Sequence, residues 1–354
     1  MNAASNECVR GASGTLSRKS EVENPLGAAR SVITVNVHTN GSSALGDVQL
    51  HDISDLLSRP DELIWIDVRS PTEDDLQLLQ SEFGFHPLAM EDVARLRQRP
   101  KVDLYEGYLL IFFYSLARDA ESEVVVLTQL GIFVGKNYVV TVHDRPIPEL
   151  DQTSERWSRN VELIGQRTIS LLVYSILDAI VDNYFPILDG ISDRLDDLEA
   201  YVVRTLSNEA QQEIFRLKKE LVTIRRVVAP ERDVLNVLLR RDLPMFEPAV
   251  IAYFQDVYDH IIRVTDAVDT YRDLLSSALE FHLSLASNRL NQIMKTLTAS
   301  SIILMSMTLI ASVYGMNFVH MPELKWHIGY VWALGMMVLV GTSMAALFRR
   351  FDWL

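Results

Sequence analysis

Cysteine is almost absent from this chain, since Cys8 is the only one in 354 residues. One thiol excludes a disulfide framework and a cysteine-based metal site, and it fits a reducing compartment. Basic side chains are outnumbered as well, with 33 lysines and arginines against 47 aspartates and glutamates and a net charge of -14. This charge argues against a nucleic-acid partner and favours cations as ligands, although an acidic soluble surface would explain it equally well.

Catalytic signatures are missing from the sequence. Its eight histidines are scattered, and it contains neither a glycine-rich phosphate loop nor a recognisable nucleophile–base arrangement. We therefore predict that the protein is not an enzyme and has no catalytic residues.

Charged side chains are absent from two segments near the C-terminus, residues 296–314 and 328–348. Each is close to the roughly 20 residues that span the hydrocarbon core of a bilayer, so we predict two transmembrane helices. Lys295 precedes the first span, and Arg349 and Arg350 follow the second. This distribution predicts a multi-pass protein of the inner (plasma) membrane with both termini in the cytoplasm.

Periodicity divides the rest of the chain. Residues 1–30 are polar and lack a signal-peptide core, which predicts a disordered tail. Short β-rich runs alternate with helical patterns in residues 31–166, which predicts a cytoplasmic α/β domain. Apolar residues recur at intervals of three or four in residues 167–248, where we expect a helical hairpin region with helices at about 168–203, 207–228 and 230–241.

Proline and glycine are absent from residues 249–314. One helix of about 100 Å could therefore leave the cytoplasmic domain as a stalk and continue into the first span. The outer loop would be 315–327, the second span 328–348 and the cytoplasmic C-terminus 349–354. The predicted fold class is an α+β cytoplasmic domain followed by a long helical stalk and two C-terminal transmembrane helices.

Small, polar and flexible side chains follow one another at steps of three or four along the first span and the turns before it. This stripe suits the wall of a narrow pore, although small and polar residues also pack transmembrane helices together. Since two helices cannot enclose a pore, conduction requires several copies around an axis. The candidate pore-lining residues are Asn291, Met294, Leu297, Ser301, Met305, Thr308 and Ser312.

A short motif follows the first span: Tyr314-Gly-Met-Asn-Phe318, with Met321-Pro-Glu-Leu324 beyond it. In this position the motif resembles the signature of the CorA magnesium and cobalt transporter family, and the resemblance covers nearly all of the chain after residue 30. It implies a funnel-shaped homopentamer that passes Mg²⁺ and that also accepts Co²⁺ or Ni²⁺. It further implies a selectivity filter of Gly315, Met316 and Asn317, in which a ring of Asn317 amides binds the hydrated ion.

The resemblance also implies regulation by the transported ion. It assigns a regulatory Mg²⁺ site to Asp92 of one subunit and Asp256 of its neighbour, with Glu91 and Asp178 as candidates for a second site. Bound Mg²⁺ would hold the subunits together in a closed state, and its loss would loosen them. Glu323 in the outer loop would attract cations, although an ordinary solvated charge explains it as well.

The sequence departs from the family pattern at Ser306, where a proline is expected, and in a C-terminus with fewer lysines. A zinc transporter of the same superfamily is one alternative, but Met321-Pro-Glu-Leu324 favours the magnesium branch. A membrane-anchored helical scaffold or metal sensor is a second alternative, although a scaffold would need no polar stripe. The predicted partners are copies of the chain itself, the lipid bilayer and divalent cations, without nucleic acid.

Overall fold

The computed structural model describes most of the chain between residues 20 and 353. The described residues are 20–21, 31–39, 62–95, 97–119, 124–159, 168–204, 207–240, 243, 245–316, 321 and 326–353. Two compact units are present, one formed by Met1–Leu198 with Glu213–Leu275 and the other by Glu199–Gln212 with Ser276–Leu354.

A seven-stranded sheet forms the centre of the first unit. Its spatial order is β1-β2-β3-β7-β6-β5-β4, and the central pair β3 and β7 is parallel while all other neighbours are antiparallel. The strands are β1 (Ser20–Glu21), β2 (Val32–Thr39), β3 (Glu62–Arg69), β4 (Lys101–Tyr105), β5 (Tyr108–Arg118), β6 (Val125–Val134) and β7 (Tyr138–His143).

Two short helices cover one face of this sheet, α1 (Glu73–Phe83) and α2 (Pro87–Ala94). Helix α1 begins with a capping box, because the Thr72 side chain accepts from the backbone of Asp75 while the Asp75 carboxylate accepts from the backbone of Thr72. Phe85 then packs in the core between the helices and the sheet, where its ring stacks on Phe133 at 4.0 Å. This packing fixes the position of α2, which carries Glu91 and Asp92.

Four further helices complete the first unit or extend from it. They are α3 (Pro148–Arg159), α4 (Ile169–Asp182), α5 (Tyr184–Arg204) and α6 (Asn208–Leu238). The expected single helix at 168–203 is therefore two helices divided at Asn183. The expected break near residue 229 is wrong, since α6 continues through Pro230.

A 3-10 turn at Pro248–Val250 leads into α7, which runs without interruption over Ile251–Tyr314. Its 64 residues correspond to about 96 Å at the rise of an α-helix. The last helix is α8 (Gly329–Arg350). The predicted fold class of an α+β domain, a long helix and a second apolar C-terminal helix is confirmed.

Candidate pore helix and acidic cluster

Among the residues that the structure describes, three helical stretches are long and apolar enough to cross a membrane, by length and composition. Ile169–Val202 is one of them, but 61% of its apolar window is buried inside the protein. The windows in Pro248–Tyr314 and Gly329–Arg350 are 6% and 0% buried. An apolar surface of that size needs a nonaqueous neighbour, so the two C-terminal helices are the ones suited to the membrane.

All seven candidate pore-lining residues lie on α7, and each is exposed in the single chain. Met305, for example, is 73% exposed. Leu304, Leu309 and Val313 are exposed on the same helix but are uniformly apolar. Helix α7 thus has exposed apolar positions that border a stripe of mixed polarity, and the stripe is exposed to water, ions or further chains.

Within the first span, the hydroxyl groups of Ser301, Ser306 and Thr308 all bond in the same way. Ser301 and Thr308 each donate to the carbonyl four residues earlier, at 2.8 Å. The same bond joins Ser306 to the carbonyl of Ile302. Since a hydroxyl has one proton and two lone pairs, this bond leaves the outward side of each oxygen as an acceptor. The stripe therefore offers oxygen lone pairs, which are the groups that attract a cation.

Helix α7 ends at Tyr314, directly before the predicted filter residues Gly315, Met316 and Asn317. The Gly315 N–H donates to the carbonyls of Ala311 and Ser312, so the chain closes the helix in a tight turn. An added Cβ at Gly315 would lie 3.2 Å from the Ala311 carbonyl, which explains why glycine suits this position. Asn317 and Glu323 lie outside the described residues, and their predicted roles stay predictions.

The transmembrane parts of α7 and α8 contact each other in the second unit. A Cβ at Gly341 would lie 3.5 Å from the Met307 sulfur, so the missing side chain allows α7 to approach α8 closely. Near the other end of this pair, the Thr296 hydroxyl donates to the Trp353 carbonyl at 3.3 Å. The side of α7 that faces α8 differs from the polar stripe.

Two of the predicted regulatory acids are already paired with bases. The Asp92 carboxylate accepts from the Lys101 ammonium at 2.7 Å and from the Gln98 amide at 3.3 Å. Glu91 pairs with Arg95 on the exposed surface of α2. Their charge is thus compensated within the chain.

The other two predicted acids, Asp178 on α4 and Asp256 on α7, lie near each other. Asp178, Asp182 and His260 have potential ligand atoms within 4.8 Å of one another, which is close enough to hold one metal ion. Burial raises the pKa of Asp178 to about 6, and the nearby Asp182 and Asp256 carboxylates add to this effect. A cation would relieve the repulsion among these carboxylates.

His260 supplies a nitrogen to the acidic cluster formed by Asp178, Asp182 and Asp256. Its Nδ1 lies 3.2 Å from Asp182 Oδ1 but lacks the alignment of a hydrogen bond. Asp182 and His260 are candidate ligands that were not predicted from the sequence. A signal was present, because Asp178 and Asp182 on one helix and Asp256 and His260 on another are each four residues apart, and that spacing places both members on one face.

Comparison with known proteins identifies the family. The family model described as "CorA-like Mg2+ transporter protein" matches residues 60–350. The chain belongs to the CorA family. CorA proteins are membrane transporters of divalent cations and not enzymes, as the sequence predicted.

One curated CorA relative is the cobalt/magnesium transport protein CorA of Thermotoga maritima. The two chains are 37% identical over 291 residues, which is 82% of this chain and 83% of the relative. The complete CorA magnesium transporter structure from Methanocaldococcus jannaschii has a TM-score of 0.78 at 28% identity and covers 90% of this chain and 98% of its own.

A cytoplasmic domain from another protein gives a weaker match. The ZntB cytoplasmic domain from Vibrio parahaemolyticus has a TM-score of 0.55 at 10% identity, covering 64% of this chain and 88% of its own. At 10% identity, this match shows only that the two proteins share a fold.

Proposed function

We propose that this CorA-family chain forms a homopentameric channel that admits Mg²⁺ to the cytoplasm, with Co²⁺ or Ni²⁺ as further permeant ions. The observation that carries the proposal is the exposed polar stripe of α7, whose oxygen lone pairs are free on the side away from α8. A membrane potential of 100 mV, negative inside, supplies about 4.6 kcal/mol for each divalent ion, which is twice the value for a single charge.

Selection takes place at the outer mouth, where Gly315, Met316 and Asn317 form the filter. Mg²⁺ sheds its hydration water reluctantly, so a ring of neutral amide oxygens can bind the hydrated ion without holding it too tightly. Glu323 raises the cation concentration near this ring. The tight helix end at Gly315 supports the proposal, because it brings the motif directly to the end of the pore helix.

The two unburied apolar helices support a topology with two membrane spans and both termini on the same side. Residues 31–248 and the stalk part of 249–314 lie in the cytoplasm, as do the N-terminal tail and residues 349–354. The loop 315–327 lies outside the inner (plasma) membrane. The basic pair Arg349 and Arg350 at the end of α8 supports this orientation.

Cytoplasmic Mg²⁺ regulates the channel by holding neighbouring subunits together. Asp92 and Asp256 provide one intersubunit site, while Glu91 and Asp178 contribute to a second. Asp182 and His260 join Asp178 as ligands. The pKa of Asp178 is raised chiefly by burial and further by the Asp182 and Asp256 carboxylates, and this closeness of acidic groups supports a cation at this position.

Cysteine accessibility tests whether the polar stripe lines the pore. A Cys8→Ser background removes the only native thiol. In that background Thr308→Cys lies on the stripe, whereas Val313→Cys is exposed and apolar but is not three or four residues from any member of the stripe. A cationic thiol reagent should nearly abolish Mg²⁺ influx into proteoliposomes through the Thr308→Cys protein and leave the Val313→Cys protein active. Equal block of both variants, or block of neither, would refute the proposed pore wall.

A further inference from the structure

The ammonium group of Lys101 lies between two carboxylates in the first unit. Its Nζ is 2.7 Å from Asp92 Oδ2 on helix α2 and 2.6 Å from Asp103 Oδ2 on strand β4. The Gln98 amide donates to the remaining Asp92 oxygen at 3.3 Å. Both oxygens of Asp92 are therefore occupied by donors from the same chain.

Other groups keep this ammonium charged and in place. Its Nζ lies 5.5 Å from the centre of the Phe112 ring, within the range of a cation–π contact. A lysine side chain is ordinarily protonated at neutral pH, and Asp92 and Asp103 are both placed to compensate its charge. Lys101 therefore places a positive charge next to Asp92.

A divalent cation and this ammonium compete for the negative charge of the same carboxylate, since a free lone pair on Oδ2 lies directly beside the Lys101 charge. A cation that approaches Asp92 has to replace Lys101 at Oδ2 or accept a positive charge beside it. Asp103 gives the displaced ammonium a second acceptor, since Nζ already contacts that carboxylate. The exchange therefore leaves neither charge without a partner.

We infer that Lys101 is a built-in competitor of the regulatory cation at Asp92. At low cation concentration its ammonium occupies the carboxylate, and at high concentration the cation replaces it there. Lys101 thereby raises the cytoplasmic Mg²⁺ concentration at which the site fills. The inference rests on the proposed regulatory role of Asp92.

Mg²⁺ titration of the purified full-length oligomer by isothermal calorimetry tests this competition. Lys101→Met keeps the length of the side chain and removes its charge. Loss of one positive charge near a divalent ion should tighten Mg²⁺ binding on the order of tenfold. Lys101→Arg retains the charge and should stay near the native affinity. Lys136→Met, a change of an exposed lysine in the turn between β6 and β7, serves as the control and should leave the affinity unaltered.

Asp92→Asn separates failure of the inference from failure of the regulatory proposal. Unchanged Mg²⁺ binding in Asp92→Asn would refute both. Weaker binding in Asp92→Asn, together with no tightening in Lys101→Met, would leave Asp92 as a ligand and overturn the competition alone. The double variant should bind like Asp92→Asn, because the competition acts through that carboxylate.

Folding is checked for each variant by gel filtration and by melting temperature. Lys101→Gln provides a second neutral variant, whose amide can still donate to Asp103. If Lys101→Met loses its oligomer peak, the affinity of Lys101→Gln decides by the same criterion: tighter binding supports the competition, and native or weaker binding overturns it.

Discussion

Glu231 is a fully buried carboxyl group on α6, directly after Pro230. Its carboxyl oxygen accepts from the Tyr114 backbone N–H at 2.9 Å. Tyr114 lies on β5 past the residues that pair with β4. The Tyr184 hydroxyl lies within hydrogen-bond distance of both Glu231 oxygens and of the Tyr114 carbonyl. Since that carbonyl can only accept, the Tyr184 proton belongs to it, and a protonated Glu231 can then donate to the Tyr184 oxygen.

Burial raises the pKa of Glu231 to about 8, against 4.5 for an exposed glutamate. The folded protein therefore keeps a proton that the unfolded chain loses between these two pH values, and stability falls as pH rises from about 4.5 to about 8. The loss can reach about 5 kcal/mol at 1.4 kcal/mol for each pKa unit. Thermal unfolding measured across this window should show it as a falling melting temperature.

Glu231→Gln is the control for this pH dependence, since it keeps the shape and hydrogen-bonding capacity of the neutral acid without a titrating proton. Its melting temperature should vary less with pH than that of the native protein, and it should exceed the native value at pH 8.5. If the two pH profiles run in parallel, Glu231 is not the titrating group.

Some side-chain contacts could not be predicted from the sequence, because they join residues on different elements. The pairing of Asp92 with Lys101 joins residues nine positions apart on different elements, so no periodicity reveals it. In the sequence, Glu231 cannot be told from a solvent-exposed glutamate of a helix. Its burial depends on strand β5 and Tyr184, which are distant along the chain. Such contacts become visible only once the chain has folded.

Regular elements were easier to predict than their boundaries. The long unbroken α7 and the apolar α8 follow from composition alone, and the β-rich runs around residues 63–68, 109–114 and 138–142 are strands. Strand β4 was missed, since Lys101–Tyr105 contains two charged residues and is only partly buried. Pro230 was treated as a break, but tertiary packing of α6 overrides the local preference of proline.

Helix α8 approaches α7 through Gly341, which gives a prediction at the level of the helix pair. Gly341→Leu should force the helices apart at Met307 and cost roughly 1–3 kcal/mol, the usual range for overpacking. Gly341→Ala should be tolerated, because its Cβ would be in ordinary contact with the Met307 sulfur at 3.5 Å. Melting of the detergent-solubilised protein, followed by gel filtration, measures the difference.

Gly335 offers a matched control on the same helix, since no atom lies within 4 Å of an added Cβ there. Gly335→Leu should therefore melt close to the native temperature. A larger loss for Gly335→Leu than for Gly341→Leu would contradict the helix contact described above.

At the level of the whole molecule, family membership and two unburied apolar helices define a membrane transporter. The fold class could be predicted from the sequence because hydrophobic length and periodicity are local properties. The predicted filter and regulatory sites would each need several copies of the chain, so only the resemblance points to their residues, and their roles stay predictions. One apolar stretch, Ile169–Val202, shows why burial matters, since its composition alone would also fit a membrane span.

Mg²⁺ influx into proteoliposomes tests the central claim most directly. Native protein and Asn317→Ala would be compared with a magnesium-sensitive dye inside the vesicles and an imposed negative internal potential. His320→Ala, a change three residues further along the same segment, is the control for general disturbance of the loop. We expect influx through the native and His320→Ala proteins and its loss in Asn317→Ala, with the oligomer intact in all three. Absence of influx through well-folded native protein at every potential and internal Mg²⁺ concentration would contradict the channel, and full influx through Asn317→Ala would contradict its filter.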